Sequence, residues 1–142
     1  MQTAAYASRN AVAISAHEPA LLLLRVLMRQ CRAKARVEVF ETCRLLLHDP
    51  REGAQDYADA LLRILWTALP KPPVIYDLRA QERSFDENWL LALFAAIARD
   101  DRASASFLLR ARLPLSLRRP VGWLAGQLVL RMQTMTDGNS QD

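Results

Sequence analysis

The chain is short of glycine, lysine, cysteine and histidine, and each shortage removes a class of chemistry. Only four glycines occur in 142 residues, the first at Gly53. Glycine-rich loops that bring backbone N–H groups up to phosphate are thereby excluded, as are turn-dense β-sandwiches. Two cysteines, Cys31 and Cys43, are too few for a disulfide scaffold at this length, and they read as reduced thiols packed as small apolar groups. The only imidazoles are His17 and His48, and no pairing among these four residues has the close spacing of a zinc site. No metal and no other cofactor is expected. There is no G-x-S-x-G elbow. His48 stands in Leu47-His48-Asp49-Pro50, at a helix end where its charge serves the carbonyl terminus. The chain is read as a non-enzyme.

Long apolar runs are missing too. The strongest, Leu21 to Leu24, follows Glu18 and Pro19 and is broken by Arg25, Arg29 and Arg32. Nothing reaches the roughly 18 uncharged residues of a spanning helix, and no basic-then-apolar leader precedes it. A cytoplasmic protein without a membrane partner is the expectation.

What the chain does have is apolar bulk: 51% of it is hydrophobic, 24% charged and 7% aromatic, the profile of one folded domain. The apolar residues recur at helical spacing, and strand patterns are almost absent. The expected fold is an all-α, single-domain bundle of about six or seven helices over residues 1–133. One long irregular loop falls near 70–83, and residues 134–142 form a disordered tail without apolar periodicity.

Start and stop signals mark most of the helices. Asp49-Pro50-Arg51-Glu52 reads as a helix start, with Tyr57, Leu61, Ile64, Leu65, Ala68 and Leu69 on the core face and Glu52, Asp56, Asp59 and Arg63 opposite. Ser84-Phe85-Asp86-Glu87 is a capping box, and the Trp89–Arg99 stretch behind it is apolar over most of its circumference, which suits a central helix. Asp100-Asp101 caps a third helix that ends at Leu113-Pro114. Ser116 caps a last one, with Pro120 in its first turn. Residues 18–48 are either one long helix or two, because the apolar face changes side near Ala33–Arg36; Ala4–Ala16 is a weaker helix ahead of them. Within the long loop, Lys71-Pro72-Pro73 cannot be helical, and Val74-Ile75-Tyr76 suits a short extended piece against the bundle, anchored by Val74, Ile75, Tyr76 and Leu78.

The basic excess is almost wholly arginine, seventeen residues against two lysines. Arg25, Arg29, Arg32 and Arg36 share one helical strip and form the candidate interaction surface. Together with Arg118-Arg119 they support a nucleic-acid-associated regulator as the alternative function, although the net charge of +4 is modest for it. Glu52, Asp56 and Asp59 make an acidic strip of similar rise that could face the arginines within the bundle or across a dimer. Tyr76, Asp77 and Arg79 gather a phenol, a carboxylate and a guanidinium in the loop and form a candidate contact there. Leu21–Met28 and the Trp89 helix are apolar nearly all round, more than one small domain readily covers. The leading expectation is therefore a non-catalytic protein–protein interaction module, with a protein partner or a second copy of itself as a homodimer.

Overall fold

The computed structural model describes residues 16–31 and 53–139, with side chains over 16–29 and 53–134. Five helices and no strand occur among the described residues: α1 Glu18–Cys31, α2 Ala54–Ala68, α3 Phe85–Ala98, α4 Arg102–Arg112 and α5 Leu115–Asn139. The all-α class agrees with the sequence reading. The expected helix at Ala4–Ala16, and the question of one helix or two beyond Cys31, lie outside the described residues.

α3 begins as its capping box dictates. Ser84 Oγ accepts the Glu87 N–H at 3.0 Å, and the Glu87 carboxylate accepts the Ser84 N–H at 2.9 Å. Trp89, Leu90, Leu91, Leu93, Phe94, Ala95 and Ala96 are buried along it, so the apolar circumference does mean a covered helix. At its other end Asp101 N–H bonds to Ala96 O and Asp100 N–H to Ile97 O, the paired bonds of a Schellman turn. That turn puts Asp100 at φ 56°, in the left-handed region. Asp101 then caps α4 by accepting the Ser104 N–H at 3.1 Å, and Leu113 and Pro114 end it as expected.

Three boundaries differ from the sequence expectation. α2 starts at Ala54, not after Asp49: Gly53 is its N-cap, and Asp56 reaches back to accept the Gly53 N–H at 3.0 Å. Asp49–Glu52 lie outside the described residues. α5 starts at Leu115, ahead of the expected Ser116 cap, so Pro120 stands in its second turn, where its missing N–H leaves only the exposed Ser116 carbonyl to solvent. α5 also runs on to Asn139, through residues expected to form a tail. Once a helix is nucleated by packing, each added residue costs little, so an apolar pattern is not needed to extend it.

α5 touches all four other helices and is the hub; α3 touches α1, α4 and α5. The core gathers Leu21, Leu24, Leu61, Leu65, Phe94 and Leu124 among others, each almost wholly shielded from water. Along the α2–α5 seam Tyr57 meets Trp123 edge-on at 5.7 Å, and the Arg131 guanidinium lies 4.0 Å above the Tyr57 ring. α4 and α5 meet closely at Gly122, where an added Cβ would stand 3.2 Å from Leu109 Cδ1.

Candidate functional site

The long loop is a strap held by charge. Its residues 72–77 have no regular secondary structure; Pro73 is buried, and Ile75 is buried in the core. Val74 N–H bonds to Asp86 Oδ2 at 2.7 Å, Val74 O accepts from Ser84 Oγ, and Tyr76 N–H reaches Glu87 Oε2 at 3.3 Å. One backbone edge of the strap is therefore bound by side chains of the first turn of α3. Val74, Tyr76 and Leu78 leave their side chains exposed, so of the four expected anchors only Ile75 acts through its side chain.

Arg25 completes the clamp from α1. Its Nε–H donates to Glu87 Oε2 at 2.7 Å and an Nη2–H to Glu87 Oε1 at 3.1 Å, a bidentate pair in which Glu87 is 0% and Arg25 6% exposed. Two further guanidinium hydrogens go to Ala80 O and Glu82 O, both at 2.9 Å. Burial alone would push the Glu87 carboxyl up. The hydrogen bonds from Arg25 and from the Ser84 and Tyr76 N–H groups outweigh it and hold the carboxyl below the usual glutamate range. Arg83 adds an exposed pair to Glu18, again strap to α1.

Arg25 is thus no member of a solvent-facing strip. Its pair is Glu87, because that carboxylate is already fixed and half-satisfied by the helix cap. Arg29 is exposed, and Arg32 and Arg36 lie outside the described residues. Nor do the acids of α2 receive Arg25: Asp56 caps Gly53, and Asp59 pairs with Arg63 one turn along at 2.9 Å. Tyr76, Asp77 and Arg79 are all exposed, and the Asp77 carboxylate turns back onto the Leu78 N–H at 2.7 Å. The structure brings these three to the surface of the strap without converging them on one point.

A cavity of about 570 Å³ opens between the start of α1, the end of α3 and α5, lined by Ala16, His17, Ala95, Arg99, Val129 and Met132 among others. Burial lowers the His17 pKa, disfavouring the charged ring, which lies 6.4 Å from Phe94. No protein-family model, curated protein or solved structure matches the chain. Among the described residues no group of three His, Cys, Asp or Glu is placed to hold a metal ion, and no helix is long and apolar enough to cross a membrane. Cys43 and His48 lie outside those residues.

Apolar groups do reach the surface beside the strap. Leu22 and Val26, one turn apart on α1, are 45% and 39% exposed, and Leu22 shares the wall of a small cleft with Leu78, itself 45% exposed. The sequence flagged α1 as apolar all round; what it did not flag is that the uncovered side adjoins the strap. Glu87 was visible as a cap, but its second role as partner to Arg25 has no local signal.

Proposed function

We propose that the protein is a non-catalytic helical interaction module, acting as an adaptor, regulator or assembly factor in the cytoplasm by binding another polypeptide, a second copy of itself included. The observation that supports this reading is the apolar surface formed by Leu22 and Val26 of α1 with Leu78 of the strap. Exposed aliphatic side chains grouped on a rigid support suit a protein interface. The strap supplies that rigidity, being tied at Val74, Tyr76, Ala80 and Glu82.

The test is a solution-mass measurement on the full chain over a wide concentration range, beside the Leu22→Glu/Leu78→Glu variant. A reversible dimer that this variant leaves monomeric supports a self-interface. A monomer at every concentration removes the homodimer from the reading. Photo-crosslinking from position 78 in cells then decides the rest: protein adducts lost in Leu22→Glu support a different polypeptide partner, and their absence overturns the reading.

A further inference from the structure

The charge of the molecule is unevenly placed. Six arginines and two aspartates lie between Arg99 and Arg119, a net of +4 that equals the charge of the entire chain, so the remaining residues balance. From Arg102 to Arg119 there are five arginines and no acid. Arg112 is used internally: it pairs with Asp86 at 2.5 Å and lies 5.1 and 5.2 Å from the centres of the Phe85 and Trp89 rings. Arg110 and Arg119 are exposed.

Each of those two arginines stands one helical turn after an exposed apolar side chain. Phe107, 65% exposed, precedes Arg110 by three residues on α4; Leu115, 78% exposed, precedes Arg119 by four on α5. Residues at these spacings are neighbours on a helix surface. The two couples sit on either side of the Leu113–Pro114 turn, and that corner is set firmly. Arg118 Nε–H donates to Leu113 O at 3.0 Å, capping the end of α4 from the start of α5, and Gly122 lets α5 approach Leu109.

We propose that this α4–α5 corner is a docking surface for an acidic polypeptide segment carrying apolar anchors, the carboxylates meeting Arg110 and Arg119 and the anchors meeting Phe107 and Leu115. The proposal rests on the interaction-module reading and names a partner chemistry at a second face. Charge complementarity selects the partner: helices whose own charged side chains from Arg102 to Arg119 are all arginine attract carboxylates and reject basic surfaces. The apolar half of each couple selects a polypeptide. An almost fully exposed leucine does nothing for a phosphate backbone, whereas arginine beside aromatic and aliphatic groups is the composition of interface hot spots. A lipid surface is less suited, since the inward face of α4 is spent on the core and one phenylalanine is not the broad apolar face of an interfacial helix.

The experiment measures fluorescence anisotropy of a labelled peptide of repeated Glu-Glu-Leu-Glu units titrated with the full chain at low salt. A mixed-sequence DNA duplex and phosphatidylserine vesicles are the other arms. Saturable peptide binding is expected, weakened at least about tenfold by Arg110→Glu/Arg119→Glu, since loss of two close charge pairs exceeds the 1.4 kcal/mol of one decade. Phe107→Ser/Leu115→Ser should weaken it several-fold, with the thermal midpoint of both variants unchanged. Leu22→Glu/Leu78→Glu should leave peptide affinity unchanged, which separates this surface from the one beside the strap. No peptide binding, an affinity indifferent to the charge reversal, or tighter binding of the duplex or vesicles overturns the proposal.

Discussion

Arg25 and Glu87 are 62 positions apart in the chain and 2.7 Å apart in space, and between them they hold α1, the strap and the cap of α3. Glu87→Gln keeps the shape and removes the charge, leaving a buried guanidinium without a counter-ion. Breaking such a pair costs about 3–5 kcal/mol, a large share of the ~5–15 kcal/mol of a whole domain. Calorimetry should show a large fall in the unfolding midpoint. Arg25→Met/Glu87→Gln, which removes both charges but keeps an oxygen for the Ser84 N–H, should recover much of it while releasing the bonds to Ala80 and Glu82. Tryptic cleavage after Arg79 and Arg83 should then quicken in a protein that is still folded.

Acid should weaken the fold in two stages. Burial holds His17 below about 6.5, so between that pH and its folded value the unfolded chain binds more protons, and stability declines as pH falls through the window. Glu87 is held below the ordinary 4.5 by Arg25 and two N–H groups against the opposing effect of burial. Its contribution is complete above that pH and is lost as pH falls through the folded value. Urea denaturation at successive pH values should show both declines, and His17→Leu should abolish only the first.

Asp100 occupies a position that favours glycine, at φ 56° in the Schellman turn closing α3. Its pairing with Arg102 is exposed and 3.7 Å long, worth little in water. Asp100→Gly should therefore stabilise the protein by up to about 1 kcal/mol, a rise of roughly 3 °C in the midpoint. Asp100→Val should lower it.

Two glycines inside α5 give opposite controls on packing. At Gly126 an added Cβ meets only Ile97 Cγ2, at an ordinary 3.9 Å, so Gly126→Ala should gain about 0.5–1 kcal/mol of helix propensity. At Gly122 the Leu109 methyl is 3.2 Å away, and a half-buried side chain must shift to admit the new carbon. Gly122→Ala should gain less than Gly126→Ala, and Gly122→Leu should drive α4 off α5, read as faster amide exchange throughout α4.

Local chemistry was legible where one residue type fixes one backbone state. Ser84 with Glu87, Asp101 as a cap, and the Leu113-Pro114 stop all sit where the sequence placed them, because caps and prolines act within four residues. The inward face of α2 was equally plain from its 3.6-residue period. What period and cap cannot carry is pairing across the chain. Nothing near Arg25 distinguishes it from Arg29, yet one is buried against Glu87 and the other exposed. The strap was expected to be held by its apolar side chains and is held largely through its backbone, since a segment outside helix or sheet presents N–H groups whatever its residues are. The arginine-rich corner was readable as a charge count, but only the fold puts Phe107 and Leu115 beside it on the outside.

The strap also carries a record of folding order. α3, α4 and α5 are joined by short turns, so their contacts close small loops and form readily, whereas Arg25 reaches Glu87 only by closing a loop of 62 residues. The amide protons of Val74 and Tyr76 are bonded to the acids of α3 that sit at this junction. Their exchange with solvent is accordingly a clock for the arrival of α1: in pulse labelling during refolding, Tyr76, which shares an oxygen with Arg25, should become protected after the amides within α3 and together with those of α1.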